Sequence, residues 1–129
     1  MSEEKTIKSW TLDYQALPAT LTVFYGEGMS LDDIYKAARN DTNGLDGTVD
    51  TNWKAFVAVS GPSIYLFISE DVTPYILAHE TVHIIKAIFD YIGSTLEDSS
   101  EEFFAYYSGY TLEELVKACK EEFKIDIKL

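Results

Sequence analysis

The chain has 129 residues, 47% hydrophobic and 25% charged, values of a globular domain rather than of a disordered or fibrous sequence. Its 22 acidic and 10 basic residues leave a formal net charge of -12, a surface that repels nucleic-acid phosphates and anionic membranes, so neither is expected as a partner. Cys119 is the only cysteine, which excludes an internal disulfide and a cysteine-held metal site.

Residues 1–8 are polar and lack the apolar stretch of a signal peptide, and no apolar run approaches the ~20 residues of a membrane span. A cytoplasmic location is the expectation. Ile7, Trp10, Leu12 and Tyr14 predict a strand, and residues 20–25 a second one beyond Pro18. Ser30 followed by Asp33 predicts an N-cap and a short helix through Arg39. Residues 40–52 are polar with two glycines and read as a loop. Its acidic residues do not meet the calcium-loop pattern, because the sixth and twelfth positions from Asp41 hold Asp46 and Asn52 instead of Gly and Glu. Residues 54–60 and 63–69 are apolar, β-branched and aromatic runs joined at Gly61-Pro62, the pattern of a hairpin.

Thr73 and Pro74 then suit an N-cap and first helical position, and Gly93 a stop. The helix between them is apolar on nearly every side, as a helix in the middle of a domain is. Beyond it, Ser99 or Ser100 predicts the cap of a second helix through Gly109, and Thr111 with Glu114 the capping box of a third. Residues 123–129 alternate apolar and polar, as a half-buried strand does. The expected fold is a single α+β domain over residues 1–129, with a mostly antiparallel sheet and the 73–92 helix packed across it.

The central helix carries His79-Glu80-Thr81-Val82-His83. Residues four apart share a helix face, so two histidines at this spacing can turn ring nitrogens to one zinc ion, with bonds of ~2.0–2.1 Å. Glu80 then lies on the flank of the metal, where a carboxylate takes the proton of zinc-bound water. Lys86 and Asp90 fall on the same stripe as the histidines. The plain alternative is a histidine pair satisfied by its core neighbours. A catalytic zinc needs three protein ligands and an open position. With both histidines used, the third has to be a carboxylate, and the acidic cluster of Glu97, Asp98, Glu101 and Glu102 follows next.

Strand, loop, His-Glu-x-x-His helix, glycine turn and a helix opening Glu102-Phe103-Phe104-Ala105-Tyr106 resemble the glutamate-ligand zincins, and above all the small zincin-like proteins of bacteriophages and prophages. The likeness runs over residues 63–110. It implies a zincin-like fold and a zinc peptidase with His79, His83 and Glu102 as ligands, Glu80 as general base, and a peptide or small protein as substrate. It also implies that the 63–69 strand binds an extended peptide by strand addition. Glu101 competes with Glu102, but Glu102 shares its face with Ala105 and Gly109, which permit close approach of two helices. The oxyanion needs a donor, drawn from Tyr106, Tyr107, Tyr110, Arg39 and Lys86; Tyr106, one turn after Glu102, is the first choice. The rival function is a non-catalytic acidic interaction protein, a nucleic-acid mimic for example, whose zinc site is structural or vestigial. Glu80 separates the two, since a structural site has no need of a carboxylate beside the metal.

Overall fold

The structure, a computed structural model, describes residues 6–14, 17–39, 53–93 and 98–127; the segment expected as a loop, 40–52, lies outside them. Four strands, β1 (Lys8–Asp13), β2 (Thr20–Tyr25), β3 (Ala55–Ser60) and β4 (Ser63–Ile68), form one sheet in the order β1-β2-β4-β3. Helix α1 (Leu31–Ala38) follows β2, and α2 (Pro74–Ile92) and α3 (Asp98–Glu121) follow β4.

The hairpin predicted across Gly61-Pro62 forms, and the two strands predicted ahead of it pair with each other as well. β1 pairs with β2 and β3 with β4, each antiparallel, and the second turn is closed by Gly61 at φ 58° before Pro62. Gly at the first central position of a two-residue turn takes this left-handed backbone without the cost a side chain would bring. The sheet is nevertheless mixed rather than mostly antiparallel, because β2 and β4 lie side by side in parallel. Parallel neighbours need a crossover connection, and here that connection contains α1 and β3. The central strands are accordingly largely buried on both faces, β4 through its apolar run over residues 64–68 and β2 through Leu21, Val23, Phe24 and Tyr25.

Alternation along those strands divides the core. Leu21, Val23, Ile64, Leu66 and Ile68 belong to the larger cluster, which also holds Leu77, Ile84, Ile85, Ile88 and Phe89 of α2 and Leu115 and Cys119 of α3. Phe24, Tyr65 and Phe67 face the other way and meet α1 through Leu31, Ile34, Tyr35 and Ala38, which recur at helical spacing. Ser30 caps α1, its hydroxyl accepting from the Asp33 backbone at 3.1 Å. The result is three layers, with α1 on one face of the sheet and α2 and α3 on the other. Burying each large apolar side chain of α2 contributes about 1.5–3 kcal/mol, so this helix is held in place by the face opposite its histidines.

Two expectations for the C-terminal third need correction. The helices predicted to end at Gly109 and to start at Thr111 are one continuous helix, α3, and it begins at Asp98, so Ser99 and Ser100 sit in its first turn rather than ahead of it. Thr111 is fully buried and hydrogen-bonded at 2.5 Å to the Tyr14 hydroxyl, a tertiary contact that overrides the local capping signal. The tail is not a strand over its described part, residues 123–127. Phe123, Ile125 and Ile127 are buried as the alternation predicts, but the Phe123 and Ile125 N–H groups donate to Ala118 and Cys119 of α3.

Candidate functional site

Thr73 caps α2, accepting from the Ile76 backbone at 3.2 Å, and Pro74 opens it. Gly93 closes it at φ 74°, a left-handed C-cap. With its register so fixed and its apolar side sunk in the core, the helix turns His79 and His83 outward. The two Nε2 atoms approach to 3.3 Å, the rings meeting edge-on with centroids 4.9 Å apart. Two nitrogens bonded to one tetrahedral zinc at ~2.0–2.1 Å stand about 3.3–3.4 Å apart, so the pair has the separation that zinc imposes. A hydrogen bond between the two rings, the N–H of one donating to the ring nitrogen of the other, has the same separation.

Glu80 is buried, 8% exposed, and burial pushes its carboxyl above the usual glutamate range; positive charge on His83 and His79 would act in the opposite sense. A carboxyl shielded from bulk water and set beside the two histidines is a proton acceptor whose basicity is enhanced by its surroundings. These three side chains line a cleft of about 590 Å³ between α2 and β3. Val57 and Val59 form its far wall, and Lys86 and Asp90 one end, paired to each other at 3.0 Å. The whole predicted stripe of His79, His83, Lys86 and Asp90 therefore faces one cavity.

The strand beside the histidines is not the one expected. β4, the hairpin strand 63–69 of the sequence reading, is interior and paired on both sides. β3 is the edge and carries the cleft wall, and among the described residues it pairs only with β4. Glu102 and Tyr106 are not brought to the pair. Glu102 is exposed, Tyr106 is 66% exposed, and neither lines the cleft. Among the described residues no group of three or more His, Cys, Asp or Glu side chains is arranged to hold a metal ion. The reason lies in the packing of α3. Its Phe103 and Phe104 rings both sit 5.5 Å from Phe89, which sets the first turn of α3 beside the C-terminal part of α2. Of the oxyanion-donor candidates, Lys86 is the one in the cleft.

Two aromatic residues at the cleft were not singled out by the sequence reading. Trp53, 48% exposed, stands just ahead of β3, and Tyr75, 79% exposed, in the first turn of α2. Tyr75 is four residues before His79, so the same spacing that ties His79 to His83 extends the stripe one turn back. No family model, curated protein or solved structure matches the chain.

Proposed function

We propose that the chain is a zinc-dependent hydrolase of zincin type, acting on peptide bonds through His79, His83, Glu80 and Glu102. The observation that carries this reading is the 3.3 Å approach of the two histidine nitrogens beside the buried Glu80 carboxyl in a cleft walled by an edge strand. Zinc, if held by His79 and His83, would supply a Lewis acid and a water of lowered pKa. Glu80, buried beside the pair, would act as the proton acceptor and donor of the reaction. The edge of β3, unpaired among the described residues, would offer backbone N–H and C=O groups to an extended peptide, laying it across the histidines. Lys86, which lines the cleft, would stabilise negative charge developing on the carbonyl oxygen once its exposed pair with Asp90 opens, which costs no more than about 1 kcal/mol. In this reading Glu102 would complete the metal's ligand set after the start of α3 moves along α2, since it does not line the cleft as the chain stands.

A second reading is favoured by the absence, among the described residues, of a third donor beside the pair. It takes the chain as a non-catalytic acidic interaction protein with a vestigial metal site. Metal content separates the readings first. Wild type purified without chelator is expected to carry one zinc per chain by native mass spectrometry, and His83→Ala none. Equal metal content in the two proteins removes the zinc assignment.

A further inference from the structure

The cleft does not stop at the histidines. It continues along α2 towards the N-terminus of the helix into a compartment of about 310 Å³, whose walls are Trp53, Ala55, Tyr75 and Ile76 together with His79 and Glu80. The last two belong to both compartments, so any group seated in this one lies against the proton acceptor.

The walls are built before a ligand arrives. The Trp53 ring rests against Phe56 of β3 at 6.1 Å, and Tyr75 is fixed in a helical turn that Thr73 caps. Yet both rings remain well exposed, at 48% and 79%, where each would bury further apolar area under a ligand. Lys54 is the remaining charged wall residue besides Glu80, and its ammonium is 3.4 Å from Asp71. An anionic side chain entering here loses hydration and meets a Lys54 ammonium already paired with Asp71, and a cationic one would engage the Glu80 carboxyl that the reaction uses, whereas an aromatic ring meets two rings and an isoleucine. The compartment has room for one large side chain.

The occupant follows from the position. A peptide laid along the edge of β3, which is unpaired among the described residues, turns alternate side chains to the layer containing α2, as Ala55 and Val57 already are. The side chain that reaches Trp53 and Tyr75 then belongs to a residue flanking the bond presented to Glu80. We propose that the Trp53–Tyr75 compartment is the specificity subsite of this cleft, taking the aromatic side chain of a substrate residue next to the scissile peptide bond; this rests on the hydrolase reading above.

The first test does not depend on turnover. N-acetyl-phenylalaninamide is titrated into the full chain while the indole N–H signals of Trp53 and Trp10 are followed by NMR. Trp53 shifts saturably and Trp10, on β1, does not. N-acetyl-alaninamide binds about tenfold more weakly, and Tyr75→Ala weakens the phenylalanine probe by about tenfold, the lower end of what one apolar pocket contact contributes to discrimination. Tyr75 is exposed, so its removal leaves the core intact. An unmoved Trp53 signal, equal affinity for the two probes, or an unchanged Tyr75→Ala overturns the subsite. The second test uses quenched fluorescent peptides that differ only by Phe or Ala at each position around one cleavable bond. Preference for Phe at one flanking position, reduced in Tyr75→Ala, supports the subsite, and cleavage indifferent to Phe overturns it. Binding of the phenylalanine probe at Trp53 without cleavage of any peptide refutes the hydrolase reading while the subsite as a binding pocket stands.

Discussion

Thr111 links two ends of the chain that local sequence does not connect. Its hydroxyl meets that of Tyr14, 97 residues earlier, in a fully buried setting where Tyr14 is 2% and Thr111 0% exposed. Thr111→Val preserves side-chain volume and adds no cavity, so its effect isolates the hydrogen bond. The Tyr14 hydroxyl is then buried without this partner, at a cost of about 1–3 kcal/mol. Tyr14→Phe costs less, because a threonine hydroxyl within a helix can turn to the carbonyl four residues back. Replacing both partners with apolar groups approaches neutrality, so the double variant is more stable than the sum of the single losses predicts. For a chain of this size each kcal/mol moves Tm by about 3–5 °C. Thr111→Val therefore lowers Tm by about 3–15 °C, and adding Tyr14→Phe recovers part of that fall. Thermal unfolding by circular dichroism, with chelator present to exclude metal, measures all four corners of the cycle. Strict additivity, or a neutral Thr111→Val, would refute the idea that this hydroxyl pair pins α3 to the end of β1.

Glu80→Gln keeps zinc but lowers peptide hydrolysis by about 10²–10⁴-fold, the usual contribution of a general acid–base group; a variant that cleaves as fast as wild type removes Glu80 from that role. At alkaline pH the chain loses stability in two stages. Burial raises the Cys119 thiol from 9.0 to about 12 and the Tyr14 hydroxyl from 10.0 to about 12. The folded state therefore keeps protons that the unfolded chain releases, and stability present below pH 9 falls as pH rises towards 12. Each group contributes a slope of about 1.4 kcal/mol per pH unit. Urea unfolding from pH 8 to 11 shows the decline, and Cys119→Ala removes the part that begins near pH 9; an unchanged slope in that variant contradicts the assignment.

What the sequence made legible was what local chemistry decides. Thr73, Pro74 and Gly93 mark α2 to the residue, Ser30 marks α1, and Gly61-Pro62 marks the hairpin. The His79 and His83 pair was readable because helical spacing alone determines which side chains share a face. The features missed are long-range. Pairing of β2 with β4 joins Thr20 to Ser63 across a crossover, and its one local trace is the largely apolar run of each strand. Thr111 is a good helix-start residue by composition, and only the arrival of Tyr14 makes it an interior one. Trp53 and Tyr75 carried a readable sign in the four-residue step from Tyr75 to His79, but nothing local announced that Trp53 would stand opposite.

The third ligand is where local spacing and tertiary packing pull apart. Similarity of pattern selects Glu102, whereas the Phe103 and Phe104 rings pack against Phe89, six residues beyond His83 and so about 9 Å along the α2 axis. A glutamate side chain does not span that distance, so ligation by Glu102 requires the first turn of α3 to leave Phe89 and move back along α2. The proposal thereby acquires a signature beyond metal content. Zinc added to the metal-free chain should shift the ring signals of Phe89, Phe103 and Phe104, and Glu102→Ala should abolish that shift. The same variant should lose at least about 10–100-fold in zinc affinity, the range already seen for residues that merely support a ligand. Glu101→Ala should retain wild-type affinity and the wild-type shift. The contact itself is modest, two aromatic pairs contributing about 0.5–1.5 kcal/mol each beyond their buried area, and structural zinc sites release far more than that on binding. The rearrangement is thus within reach of the metal's binding energy. Unaltered zinc affinity in Glu102→Ala, with the three phenylalanine signals unmoved by zinc, would leave His79 and His83 as the protein ligands in hand and take Glu102 out of the site.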